Sequence, residues 1–183
     1  MLVERFAEFA QPVLDLPLVR RTRRNHGLEH ATIHILAQRV KNLRMAGRSS
    51  DSGFVLLGEA STEQVEAAVR DALRRMRAGE HDLAVHPNCG TNLVTTGLMA
   101  SVAAMVGLTG ASRRDLWNRL PAVMLLVMVA LIFSQPLGLS LQKYITTDGD
   151  PADLEVLSVT RSSVQTPLSP NPLTVHRVVT TSS

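Results

Sequence analysis

The sequence predicts an α-helical membrane protein that carries a small α+β domain outside the membrane, and three observations predict it. No Asp, Glu, Lys or Arg occurs between Asp82 and Arg113, and none between Arg119 and Lys143. Each run is apolar and about long enough to cross a hydrocarbon core. The remaining chain is polar and alternates helical with strand-like periodicity. The mildly positive mean hydropathy of the whole chain, +0.09, averages these two parts together.

Residues 1–24 read as an amphipathic, basic amino-terminal segment. Leu2, Val3, Phe6, Phe9, Ala10 and Val13 follow helical spacing, as in a short helix lying on a membrane surface or on the domain's own core. Residues 25–90 read as the α+β domain. Asn25 to about Val40 is its first helix, with Leu28, Ile33, Leu36 and Ala37 on one side and His26, His30 and His34 at four-residue steps on the other. Gly47 to Gly53 reads as a turn-rich linker, and Phe54 to Leu57 as a short buried strand ending at Gly58. Ser61 with Gln64 makes a capping box, and Val65, Ala68, Val69, Ala72, Leu73 and Met76 continue the helical period up to Gly79. The charges between, such as Glu63, Glu66 and Arg70, suit a solvated outer face.

Residues 91–142 hold two transmembrane helices, about 92–110 and 120–141, forming a hairpin. Gly97 with Ser101, and Ala100 with Ala104, are small pairs at the spacing that lets two spans pack closely. In the carboxyl-terminal tail, residues 143–183, the segments 154–160 and 173–179 alternate β-branched with polar residues. They are expected to pair across a Ser/Pro-rich turn and to add to Phe54–Leu57, the alternative being a disordered tail.

With 19 Lys/Arg against 16 Asp/Glu the net charge is +3, and the isoelectric point is about 9.7. Thirteen of the 19 basic residues precede residue 90, which favours a cytoplasmic amino-terminal domain. The connecting loop, with Arg113, Arg114 and Arg119 against Asp115, nearly balances them. Two spans put the domain and the tail on one side in either orientation. Glu4, Glu8, Pro12, Asp15 and Pro17 interrupt any apolar leader, so no signal peptide is expected. Aromatic residues make up 3% of the chain, too few for a base-stacking surface, and the run Arg20-Arg21-Thr22-Arg23-Arg24 is read as a lipid anchor or topology signal instead of a nucleic-acid patch. With one cysteine there is no internal disulfide, and Cys89 is a free thiol, a metal ligand or an intermolecular link.

His26-Gly27-Leu28-Glu29-His30 spells the inverted zinc-protease pattern H-x-x-E-H. On a helix the two imidazoles are one turn apart and Glu29 shares their side, so one metal can take both rings while a carboxylate stands beside its open position. Glu29 is the expected general base. The expected third ligand lies in His86-Pro87-Asn88-Cys89-Gly90-Thr91-Asn92, where Pro87 suits the first turn of a helix and would leave His86 and Cys89 facing the same way. One of them binding leaves an open, catalytic zinc, whereas both binding closes the tetrahedron into a structural site. Glu59, Glu63 and Glu66 are the runner-up third ligands. His34 is expected at the surface or behind the ligands, His81 in a loop, and His176 in the tail hairpin.

The combination HGLEHATIHIL followed by HPNCGTN resembles a bacterial family of membrane proteins, domain of unknown function 6391, over most of the chain. The two motifs also resemble those of domain of unknown function 1385, described as a predicted metal-dependent enzyme. The resemblance carries over to His26, Gly27, Glu29 and His30, and to His86, Pro87, Cys89, Gly90 and Thr91. It implies a paired metal site in the bacterial inner membrane and no particular substrate.

The reading that results is a multi-pass membrane zinc hydrolase, foremost a peptidase acting near the membrane surface on membrane-anchored polypeptides. The rival is a non-enzymatic subunit of a larger membrane complex with a structural zinc. A third reading, a haem or chlorophyll-type pigment on the histidine helix, is one that a colourless preparation removes.

Overall fold

The computed structural model describes residues 2–112, 114–165 and 172–183. Arg113 of the connecting loop and the expected Ser/Pro-rich turn at 166–171 lie outside the described residues. The chain divides into two compact units, one made of Met1–His86 with Lys143–Ser183 and the other of Pro87–Gln142.

In the first unit, helix α1 (Leu2–Leu14) buries Ala7 and Leu14 but leaves Leu2, Phe6, Phe9 and Val13 exposed, Phe9 by 84%. That stripe is therefore not packed on the domain's core. Helix α2 (Pro17–Arg39) begins eight residues before the expected Asn25. Pro17 in the first turn has its φ preset for a helix, and the arginines that follow are good helix formers.

The expected linker at 47–53 is a correction. Strand β1 (Met45–Ser50) takes up most of it and pairs antiparallel with β2 (Gly53–Gly58), leaving Asp51 and Ser52 as the turn. Glycine and serine are poor strand formers, so pairing and the needs of a neighbour override their propensity here. Helix α3 (Thr62–Arg77) carries the capping box as expected, with Gln64 N–H donating to Ser61 Oγ at 3.2 Å and Ser61 N–H to Gln64 Oε1 at 2.9 Å.

The tail forms strands β3 (Glu155–Val164) and β4 (Leu173–Thr181), paired antiparallel with a register shift between Val156 and Ser158. As expected, β4 also pairs with β2, Leu56 standing opposite His176. The sheet runs β1-β2-β4-β3. Its buried face, including Phe54, Leu56 and Val178, shares one core with Leu28, Ile35 and Leu36 of α2 and Val65, Val69 and Met76 of α3.

The second unit is a helix pair, α4 (Gly90–Leu108) and α5 (Leu116–Leu141). Thr96 Oγ1 and Ser134 Oγ share a 3.0 Å hydrogen bond. A Cβ on Gly138 would stand 2.2 Å from Asn92 Oδ1, and one on Gly107 would stand 2.8 Å from Val123. Rising positions on α4 thus meet falling positions on α5, and the helices are antiparallel. The glycines that admit close approach are Gly107 and Gly138. Gly97, expected in that role, faces open space, and Ser101 is exposed. Both helices are long and apolar enough to cross a membrane, and most of their large side chains are exposed, among them Leu93, Met105, Leu125 and Ile132.

His176 is fully buried on β4, opposite Arg161 of β3, and among the described residues neither ring nitrogen has a hydrogen-bond partner. Burial first, then the Arg161 charge, push its pKa below the ordinary histidine value. The unfolded chain therefore takes up the proton before the folded one, so the stability linked to this ring is present above about pH 6.5 and falls as pH drops below it. His176→Leu is expected to stabilise the protein by about 1 kcal/mol at neutral pH, by removing an unsatisfied buried polar group. It should also flatten the loss of stability between about pH 7 and about pH 5. Unfolding of the detergent-solubilised protein at both pH values checks this, and an unchanged acid slope would count against it.

Candidate metal centre

Helix α2 lies between the sheet and the segment around residues 81–86, and its rotation decides what each side chain meets. Asn25 Nδ2 donates to the Ser50 carbonyl at 2.9 Å, and its Oδ1 accepts from Thr180 Oγ1 at 2.6 Å. One turn on, Glu29 is 4% exposed and accepts from the Ser49 hydroxyl. A Cβ added to Gly47 would stand 2.0 Å from Glu29 Oε1. Only a residue without a side chain lets that carboxylate reach β1.

Turning further round the helix, the histidines meet the other wall. His30 Nδ1 lies 2.8 Å from the Ala84 carbonyl, within the 3-10 turn His81–Ala84, and His26 Nδ1 lies 2.9 Å from the Thr146 carbonyl. A carbonyl only accepts, so both rings donate from Nδ1. This is the orientation in which histidine usually binds metal, its second nitrogen tied to a carbonyl. The two rings are 4.4 Å apart between centroids, and a ligand nitrogen of each lies within 4.8 Å of the other. Such a pair is close enough to hold one ion.

His86 joins the group from the far side, with its ring centroid 5.7 Å from His30 and 4.7 Å from His34. Its pKa is pushed down to about 4, by burial first and then by His34 and His30, so at neutral pH it is an uncharged imidazole. His34 Nε2 donates to the Val85 carbonyl at 2.9 Å.

Of the expected site residues, the fold gathers His26, Glu29, His30 and His86 about α2. Cys89 follows His86 by three residues, as the N-cap of α4, where its sulfur accepts from Thr91 N–H at 3.4 Å. Pro87 is a correction. The helix starts at Gly90, so Pro87 precedes the first turn and does not set His86 and Cys89 on one helical face. The α3 carboxylates are engaged elsewhere. Glu63 is held below the usual carboxylate range by hydrogen bonds at the helix start, and Glu66 pairs with Arg70.

Sequence reasoning missed Gly47, Ser49 and the residues around Asp148. Gly27 is small because a Cβ there would stand 2.2 Å from the Asp148 carbonyl oxygen. Arg23 donates to the carbonyls of Tyr144 and Thr147, and Arg24 pairs with Asp153 at 2.8 Å. These bonds hold in place the segment that presents Thr146 to His26.

Comparison with known proteins gives two matches. The family described as Domain of unknown function (DUF6391) matches residues 21–159. An uncharacterized protein of Picosynechococcus sp. is 30% identical over 153 residues, covering 76% of this chain and 71% of that protein. No solved structure matches.

The contact of Glu29 with β1 makes a coupling prediction. Gly47→Ala should destabilise the protein by about 1–3 kcal/mol through overpacking. In a Glu29→Ala background the same change should cost distinctly less, because the clash is with that side chain. A double-mutant cycle measured by denaturant unfolding tests it, and additive costs would mean that the two residues are not in contact.

Proposed function

This chain belongs to the family described as Domain of unknown function (DUF6391), a premise that brings no reaction with it, and from its histidine site we propose that it is a membrane-bound zinc-dependent hydrolase, foremost a peptidase. The observation that carries the proposal is the paired tethering of His26 and His30. Two rings one helical turn apart, each held through Nδ1 by a backbone carbonyl, offer two Nε2 lone pairs to one ion.

In this reading His26 and His30 are ligands, and His86 or Cys89 completes the set. The neutral His86 needs no deprotonation to bind. Bound zinc supplies Lewis acidity and a water acidified toward neutrality. Glu29 takes the proton of the attacking water and returns it to the leaving group, with Ser49 and Gly47 fixing its carboxylate. The two motifs also resemble those of domain of unknown function 1385, described as a predicted metal-dependent enzyme, which agrees with this assignment.

Helices α4 and α5 are proposed to be a transmembrane hairpin in the bacterial inner membrane, with the polar unit on the cytoplasmic side. Trp117, 80% exposed at the start of α5, suits an interfacial position. The exposed stripe of α1 suits contact with a membrane surface. Substrates would then be membrane-anchored or juxtamembrane polypeptides, concentrated by sharing the bilayer.

One observation favours the rival, a structural zinc in a non-enzymatic subunit. Glu29 is buried and its carboxylate already bonded, as a purely architectural residue would be.

Elemental mass spectrometry and peptide turnover on the detergent-purified protein separate the two. The wild type should hold about one zinc per chain, and His30→Ala should lose it. Cys89→Ala and His86→Ala tell which residue completes the set. Glu29→Gln should keep the zinc while lowering turnover about 10²–10⁴-fold. Zinc retained with no turnover in the wild type would favour the rival, and no metal in any sample would remove both.

A further inference from the structure

We propose that the outer edge of β1 is the substrate-docking edge: an extended polypeptide with acidic side chains adds to the sheet there as a fifth strand and is carried across the histidine site. The proposal rests on the peptidase reading and names its substrate geometry.

Among the described residues, strand β1 stands at one end of the sheet and pairs with β2 alone, so one side of its backbone is left for another strand. Ala46, Gly47, Arg48 and Ser50 are exposed, and apart from Arg48 the side chains from Ala46 to Ser50 are small. A strand arriving along that edge meets little obstruction.

The phase of α2 places this edge beside the site. Glu29 points at Gly47 and Ser49 of β1. At about 100° per residue, His26 lies about 60° further round the helix from Glu29 and His30 about 100° further, both in the same direction. His34 and Gly27 come next, and they meet Val85, Ala84 and Asp148. The two proposed ligands therefore occupy the arc between β1 and the opposite wall. A strand added about 4.8 Å beyond β1 enters that arc and brings its backbone carbonyls toward His26 and His30.

Charge narrows the occupant. Gly47 and Ser49 face α2, so Arg48 between them projects from the other face of the sheet. Arg44 stands just before the strand and Lys41 three residues earlier, and all three cations are exposed. An incoming strand with Asp or Glu opposite Arg48 is favoured over a basic one.

The test uses the full chain in detergent with the Glu29→Gln change to slow turnover. A photo-cross-linking amino acid is placed at position 46, which keeps Arg48, or, as a control on the other sheet edge, at position 162 of β3. The probes are two pools of fluorescent random decapeptides, one enriched in Asp/Glu and one in Lys/Arg. Labelling is expected from position 46 with the acidic pool, about tenfold above position 162. Separately, Arg48→Glu should weaken acidic-pool binding about tenfold and favour the basic pool. Backbone N-methylation of the bound peptides should abolish binding at the edge. Equal labelling at both edges, no labelling, or indifference to N-methylation overturns the proposal. Wild-type protein that holds zinc and cleaves peptides but fails this test leaves the hydrolase reading standing. Edge labelling without cleavage of either pool by the wild type does the reverse.

Discussion

A carboxylate buried on a helix must be met by donors or it loses its charge, and on α2 that demand sets the geometry of the whole site. Glu29 finds the Ser49 hydroxyl, and it reaches it only because Gly47 has no side chain. Asn25, one turn earlier on the same line, is held by Ser50 and Thr180. Two polar contacts in register along a helix fix its rotation as well as its position. With that line on β1, Leu28, Ala31 and Ile35 turn into the core, and His26 and His30 turn to the opposite wall. The polar contacts with the sheet thus orient the histidines without touching them.

What was legible in the sequence is what local chemistry decides. The capping box at Ser61 and Gln64, the apolar period of α3, the two charge-free runs and the pairing of the tail strands with Phe54–Leu57 all show in the chain itself. Residues whose role is to leave room were not legible. The stretch Gly47-Arg48-Ser49-Ser50 has the composition of a linker, yet it forms a strand because the sheet pairs it and Glu29 requires small neighbours. Gly27, Gly107 and Gly138 are likewise explained only by the atom each faces. The small pair at Gly97 and Ser101 had the right spacing and the wrong side. In the site, H-x-x-E-H announced two histidines one turn apart, but the carbonyls that meet their rings carry no side-chain signature.

The basic run shows how a charge pattern can mislead in part. Arg20 to Arg24 reads as a lipid or topology signal, and two of its guanidiniums have internal work. Arg23 grips the carbonyls of Tyr144 and Thr147, and Arg24 pairs with Asp153. Gly27 completes the seat by letting α2 approach Asp148. Cations near the start of the helix therefore serve to hold a segment from the end of the chain, and that segment supplies the acceptor for His26.

That dependence bears on when the site can form. The acceptor of His30 is Ala84, just before the chain enters the apolar unit, and the acceptor of His26 is Thr146, just after it leaves. A backbone carbonyl does not titrate, so the tautomers it imposes hold wherever the fold holds, unlike those imposed by a carboxylate. The cost is sequence distance, since His26 and its acceptor are 120 residues apart. The histidine motif is made early in synthesis, but its first ring is oriented only after both apolar helices have been made and the chain has returned. Until then the Thr146 carbonyl that His26 meets in the finished fold has not been made. Completion of the apolar hairpin is thus built into completion of the site.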